Sequence, residues 1–144
     1  MSGYVLDASV AAKWLLPAHQ EPLSDAAGRL LESFVRGATL LDVPDLFWPE
    51  TANILWKAVR RGRIKVARAA AGLAWLQELG LRTVPAGPLL ADGLKIAAEF
   101  DRTVSDSLYI ALAVQSRRPF LTADEKLLHA VAARFPVCWL GSLP

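Results

Sequence analysis

The fold is first indicated by the stretch YVLDASV, residues 4–10, near the start of the chain. Its apolar opening predicts a short strand, Asp7 follows directly, and residues 8–16 are typical of a helix that Pro17 ends. A strand that passes almost directly into a helix is the first half of a β-α unit. Asp7 is therefore predicted at the carboxyl end of the first strand.

The same alternation of short apolar runs and longer helical patterns continues through the chain. Further strands are predicted at residues 39–43, 81–84, 119–122 and 137–140, and further helices at residues 22–35, 44–61, 66–79, 88–100, 105–115 and 124–134. Strands that alternate with helices in this way are typical of a mostly parallel sheet between layers of helices. We therefore predict a single α/β domain over residues 1–144.

Composition limits the class of protein. Of the 144 residues, 53% are apolar, which is enough for one core, and the single cysteine, Cys138, excludes an internal disulfide. No apolar run approaches the roughly 18 residues of a membrane span, and the N-terminus lacks the features of a signal peptide. We expect a cytoplasmic protein that does not contact a membrane.

Positive charge is concentrated in one segment, although the net charge is only +2. No acidic residue lies between Glu50 and Glu78, and the basic residues there are Lys57, Arg60, Arg61, Arg63, Lys65 and Arg68. A compact basic patch favours a phosphate backbone, and we predict RNA contacts for Arg60, Arg61, Arg63 and Lys65. The alternative is a solvated helix end whose cations complement the helix dipole.

Four acidic residues are candidates for one shared site: Asp7, Glu50, Asp106 and Asp124. Asp7 and Asp124 follow predicted strands, and ligands of open α/β sheets bind beyond the carboxyl ends of strands. Asp106 opens a helix that is apolar almost all round, which predicts burial. Glu50 lies early in the helix predicted at residues 44–61, with Asn53 on the same face.

Each of these acids also has a structural alternative. Asp7 is suited to cap the helix that follows it. Glu50 and Asp106 are favourable charges for the first turn of a helix, and Asp106 is also suited to the N-cap position. The stretch TADE, residues 122–125, is a capping box in which Thr122 would be the cap. Local sequence alone leaves these alternatives open.

Carboxylates in this number suit a hard cation. Magnesium and manganese take oxygen ligands, and four clustered carboxylates without a cation would repel one another. Beside a phosphodiester, such an ion polarises the phosphoryl oxygens and lowers the pKa of a bound water. The four acids therefore indicate metal-assisted phosphodiester chemistry.

The four motifs together resemble the PIN-domain family, and within it the VapC-type toxins of toxin–antitoxin pairs. The matching stretches are VLDASV (residues 5–10), PETANIL (residues 49–55), DSLYIALA (residues 106–113) and LTAD (residues 121–124). One such motif alone has little specificity. All four in order, across nearly the whole chain, make the resemblance specific.

The resemblance implies a three-layer α/β/α fold around a five-stranded parallel sheet. It also implies a magnesium- or manganese-dependent endoribonuclease, a homodimer, and a cognate antitoxin that blocks the active site. The catalytic acids would be Asp7, Glu50, Asp106 and Asp124. We expect Asp7, Asp106 and Asp124 to bind the ion, and Ser9, Asn53 and Thr122 to orient the acids.

Two other functions are alternatives to a PIN-type ribonuclease. A phosphatase of the haloacid-dehalogenase type also has an Asp after its first strand, but it requires a second acid where this chain has Ser9. A catalytically silent PIN scaffold that binds RNA or a protein is the other alternative. Retention of all four acids argues against a silent scaffold, because unused buried carboxylates are costly.

A partner surface is predicted on two neighbouring helices. The Ala-rich helix at residues 66–79 carries Trp75, and the preceding helix carries Trp56. These helices have more apolar surface than the core of a chain this size requires. We predict that they form a homodimer face or an antitoxin groove.

Overall fold

In residues 2–144, five short parallel strands form the centre of the protein. The computed structural model describes residues 2–144. Its strands are β1 (Ser2–Leu6), β2 (Thr39–Pro44), β3 (Arg82–Val84), β4 (Phe120–Thr122) and β5 (Val137–Trp139). They are hydrogen-bonded in the order β3-β2-β1-β4-β5, and every neighbouring pair is parallel. The predicted five-stranded parallel sheet is confirmed.

Within the described part of the chain, seven helices connect and cover the strands. They are α1 (Ala8–Leu15), α2 (Ser24–Val35), α3 (Phe47–Arg60), α4 (Val66–Glu78), α5 (Leu90–Phe100), α6 (Val104–Ser116) and α7 (Glu125–Val131). Short 3-10 turns lie at Ala18–Gln20, Gly87–Leu89 and Leu140–Ser142. In residues 2–144, no helix combines the length and the apolar character needed to cross a membrane.

The boundaries differ from the prediction mainly where pairing between strands decides them. Helix α3 begins at Phe47 rather than at Pro44, because Pro44 pairs with Val84 of β3 and the Asp45 amide donates to the Val84 carbonyl. Helix α7 ends at Val131, three residues before the predicted end at Arg134. The other helices follow the predicted pattern closely.

The core lies on both sides of β1. Val5 and Leu6 are fully buried, and so is nearly the whole middle of α6, from Ser107 to Ala113. The Tyr109 ring stacks on the Phe120 ring of β4 at 5.0 Å between centroids. The prediction that this helix is apolar all round because it is buried is confirmed.

An ion pair with a buried carboxylate also connects β2 to the segment just before β4. Asp42 of β2 is only 2% exposed, and its Oδ2 accepts a hydrogen bond from Arg118 Nη1 at 2.9 Å. Arg82 Nε lies 3.9 Å from the other carboxyl oxygen. A Cβ at Gly3 would stand 3.1 Å from the Arg118 side chain, so a glycine at this position of β1 gives the arginine room.

The sheet order places the start of α1 beside the start of α7. The chain moves from β1 to β2 on one side, while β4 occupies the other side of β1. The Asp7 amide donates to the Leu121 carbonyl of β4 at 3.0 Å. The carboxyl ends of β1 and β4 therefore meet at the position where strand order reverses, which is where α/β sheets usually bind ligands.

Candidate active site

Two hydroxyl groups fix the carboxyl group of Asp7. Ser9 Oγ donates to Asp7 Oδ2 at 2.8 Å, and Thr122 Oγ1 donates to the same oxygen at 2.7 Å. Asp7 occupies the N-cap position of α1, but its side chain makes no capping hydrogen bond. Helix capping therefore does not by itself account for the Asp7 carboxyl, although the Ser9 backbone amide also lowers its pKa. Ser9 also acts as a donor to Asp7 rather than as the second acid that a dehalogenase-like phosphatase requires.

Asp124 caps helix α7. Its Oδ1 accepts from the backbone amides of Lys126 at 3.0 Å and Leu127 at 3.2 Å. The capping box with Thr122 as the cap is therefore wrong, since the Thr122 hydroxyl instead joins Asp7 to the Asp124 amide. This network of hydrogen bonds holds the loop after β4 against the loop after β1.

Glu50 lies in the first turn of α3 and is half-buried. Its Oε1 accepts a hydrogen bond from the Tyr109 hydroxyl at 2.7 Å. Tyr109 is a site residue that the sequence analysis did not find, although a buried tyrosine hydroxyl needs a polar partner. Asn53 lies exposed on the same helix, and among the described hydrogen bonds it makes none to the four acids. Its orienting role stays a prediction.

Asp106 lies in the first turn of α6. Thr103 is the N-cap of this helix, and its side chain accepts from the Asp106 amide at 3.1 Å. Asp106 is therefore not the cap, and its half-buried carboxyl lies at the mouth of the buried helix. The first-turn position is also electrostatically favourable for a negative charge.

The four acids influence one another electrostatically. Burial raises the pKa of Asp7, Glu50 and Asp106 above their ordinary values. Nearby negative charge raises each of these pKa values further: Asp106 acts on Asp7, both of these act on Glu50, and Asp124 acts on Asp106. Hydrogen bonds from Thr122, Ser9 and Tyr109 partly oppose these effects. Acids from four separate elements thus lie close enough to influence one another electrostatically. Burial and repulsion between like charges both disfavour the ionised form of a carboxyl group, which explains the raised pKa values.

The donor chemistry suits a hard divalent cation, although the geometry does not form a closed cage. In the described chain, no three or more Asp, Glu, His or Cys side chains come together as a ready metal site. Magnesium commonly binds through one or two carboxylates and keeps several waters. Asp124 Oδ1 and Glu50 Oε1 already accept hydrogen bonds from the protein, and each residue has a second carboxyl oxygen. The residues therefore fit such an ion through few direct ligands and water.

The four residues predicted to contact RNA have different surroundings in the structure. Arg63 Nη2 pairs with Glu21 Oε2 at 2.6 Å, and its Nε donates to Gln20. This pairing argues against an RNA contact for Arg63. The Arg60 guanidinium lies 5.3 Å from the centre of the Trp56 ring, while Arg61 and Lys65 are exposed.

An apolar groove runs between α3 and α4. Its lining residues are Ala52, Leu55, Trp56, Val59, Val66, Ala69, Ala70 and Leu73. Trp56 is 52% exposed, Val66 is 70% exposed, and Trp75 on α4 is 41% exposed. The apolar surface that the sequence predicted on these two helices is therefore present.

Similarity to known proteins identifies the family. The sequence matches the PIN domain over residues 4–133. The chain belongs to the PIN-domain family. A relative, Ribonuclease VapC3 of Pyrobaculum aerophilum, is 34% identical over 134 residues, which cover 92% of this chain and 94% of that protein.

Two solved structures share the PIN fold. PAE2754 from Pyrobaculum aerophilum has a TM-score of 0.73 at 23% identity, covering 98% of this chain and 85% of that one. A toxin–antitoxin complex from Klebsiella pneumoniae has a TM-score of 0.55 at 13% identity, covering 89% of this chain and 92% of that one. The α/β architecture implied by the family resemblance is confirmed.

Proposed function

We propose that this PIN-domain protein is a metal-dependent endoribonuclease of the VapC type. Its relative over nearly the whole chain is named Ribonuclease VapC3. The observation that carries the proposal is the mutual electrostatic influence of the four acids, three of which have raised pKa values. A purely structural set of acids has no need for buried, mutually repelling charges.

The acids have distinct roles in this proposal. Asp7 and Asp106 are the principal ligands of a magnesium or manganese ion, and Asp124 and Glu50 complete its surroundings directly or through water. When bound, the ion polarises the phosphodiester and lowers the pKa of a water. Ser9 and Thr122 hold the Asp7 carboxyl in place, and Tyr109 holds Glu50. These contacts keep the carboxylates oriented before RNA arrives.

Tyr109 is suited to act as a permanent donor. Burial, followed by the charges of Asp7 and Glu50, raises the pKa of Tyr109 far above its ordinary value. The hydroxyl therefore stays protonated at all physiological pH values and remains a donor to the Glu50 carboxyl. This contact lowers the Glu50 pKa, which partly offsets the effect of burial.

A divalent-ion titration of RNA cleavage tests the proposal. Single-stranded RNA incubated with the protein should be cut internally in magnesium or manganese and stay intact in excess chelator. Calcium at the same concentration is the control, because it has the same charge as magnesium but binds carboxylates with looser geometry. A protein that binds RNA without cutting it in any of these ions would be the silent scaffold instead.

We further propose that the groove between α3 and α4 docks an antitoxin, as a short amphipathic segment with apolar anchors. The solved neighbour from Klebsiella pneumoniae is described as a toxin–antitoxin complex, and the groove has an almost wholly apolar lining. A homodimer through the same helices is the second candidate for this surface. The cytoplasmic location also stays a prediction.

A further inference from the structure

One face of α3 connects the acids to exposed cations. An α-helix turns about 100° and rises about 1.5 Å per residue, so Lys57 and Arg61 lie within about 20° of the direction of Glu50 around the axis. They lie about 10 Å and 16 Å further along the helix. Both are exposed, and so is Asn53 between Glu50 and Lys57. A polar face thus runs from the acid cluster to the end of α3.

The positive charge of this face lies towards the C-terminal end of α3. Lys57, Arg60 and Arg61 line one surface depression together with Trp56. Within residues 2–144, none of these three cations forms an ion pair, in contrast to Arg63, which Glu21 holds. The Arg60 guanidinium covers part of the exposed Trp56 ring. The depression therefore offers free cations and an aromatic face side by side.

We propose that single-stranded RNA follows α3 away from the acid cluster, with Lys57 and Arg61 contacting successive phosphates. This inference rests on the proposed ribonuclease function and names the path of its substrate. The acids repel phosphates, so a strand at the active site needs cations close by to hold it, and α3 supplies them in line with Glu50. Trp56 with Arg60 provides a stacking surface for a base, the combination typical of single-strand binding.

The test compares two double variants of equal charge. Lys57→Ala with Arg61→Ala removes the proposed contacts. Arg36→Ala with Lys95→Ala is the control, because Arg36 is the exposed C-cap of α2, as Arg61 is of α3, and Lys95 is exposed within α5. Each variant also carries Asp7→Asn so that a fluorescein-labelled RNA of mixed sequence stays intact. Fluorescence anisotropy over a series of KCl concentrations gives Kd and its salt dependence.

Loss of two phosphate contacts should reduce the slope of log K against log salt by about 1.4, since each contact contributes about 0.7 for a single strand. The control should keep the slope of its Asp7→Asn parent. Trp56→Leu in the same background should weaken binding by about tenfold at every salt concentration without changing the slope. Equal slopes in the two double variants would overturn the proposed path.

Cleavage by the proteins without Asp7→Asn separates this inference from the function beneath it. If the unsubstituted protein cuts RNA but Lys57 and Arg61 leave the slope unchanged, the path is wrong and the ribonuclease stands. If the unsubstituted protein neither binds nor cuts RNA, both proposals fail. If Lys57→Ala with Arg61→Ala abolishes binding of a partner protein but leaves the salt dependence of RNA binding unchanged, this face of α3 is a protein-docking surface and the RNA path is wrong.

Discussion

Removing the Tyr109 hydroxyl tests how the site holds Glu50. In Tyr109→Phe the ring and its stack on Phe120 remain, so the change removes the hydroxyl alone, with its 2.7 Å hydrogen bond to Glu50 and its contact with the Ala8 backbone amide. A hydrogen bond to an ionised group contributes about 1.5–3 kcal/mol, and the half-burial of Glu50 favours the lower end, about 1.5 kcal/mol. For a 144-residue domain, this is a decrease of about 5 °C in Tm at pH 7.

The pH dependence gives the same substitution a second readout. The Tyr109 bond lowers the Glu50 pKa, so its loss should raise that pKa and move the acid limb of the pH–rate profile upwards. The loss of stability should shrink at acidic pH, where Glu50 is protonated and the bond joins two neutral groups.

Thermal unfolding in chelator and RNA cleavage against pH are the assays. Tyr4→Phe is the matched control, because the only other tyrosine of the chain lies on β1 beside Arg29 and Leu143, away from the acids. The control should leave both the Tm and the pH profile unchanged. If Tyr109→Phe has the Tm and the pH profile of the unsubstituted protein, Tyr109 does not position Glu50.

Three further substitutions test other parts of the account. Burial raises the Asp7 pKa in the folded protein, so an ionised Asp7 opposes folding at any pH above the pKa that Asp7 has in the unfolded chain. Without metal, Asp7→Asn should therefore raise Tm at pH 7. This gain in Tm should vanish as the pH falls through the Asp7 pKa of the folded protein towards about 4. Arg118→Ala leaves buried Asp42 with only the exposed Arg82 as an ionic partner, so it should lower the free energy of unfolding, measured with urea, by about 3 kcal/mol. A decrease below about 0.5 kcal/mol would contradict a structural role for the pair of Arg118 with Asp42. Val66→Asp puts a charge in the apolar groove at an exposed first-turn position of α4, so it should weaken self-association or antitoxin binding without loss of Tm. If light scattering and co-purification give the same results as for the unsubstituted protein, the groove is not an interface.

The sequence was sufficient to predict the architecture because local patterns determine it. Apolar runs of strand length, helix periodicity and the stop at Pro17 are all visible within short windows. The grouping of Asp7 with Asp124 followed from topology, since the carboxyl ends of parallel strands lie at the same edge of the sheet.

The details of the site were less predictable because their partners lie far apart in the sequence. Thr122 was interpretable as a helix cap until the fold brought it to Asp7, 115 residues away. The Tyr109 bond to Glu50 spans 59 residues, and the pair of Arg63 with Glu21 spans 42. Local sequence shows that such groups can form hydrogen bonds or ion pairs, but not which partner the fold supplies.

The central claim is that the acids act together on RNA through a divalent ion, and cleavage by charge-removed variants tests it most directly. Asp7→Asn and Asp106→Asn each keep the size of the side chain, and Asp101→Asn on the exposed surface is the control. In saturating magnesium, we expect the first two to lose orders of magnitude in RNA cleavage rate while the control keeps full activity. Asp7→Asn and Asp106→Asn proteins that still cut RNA, in magnesium and in excess chelator alike, would contradict the account.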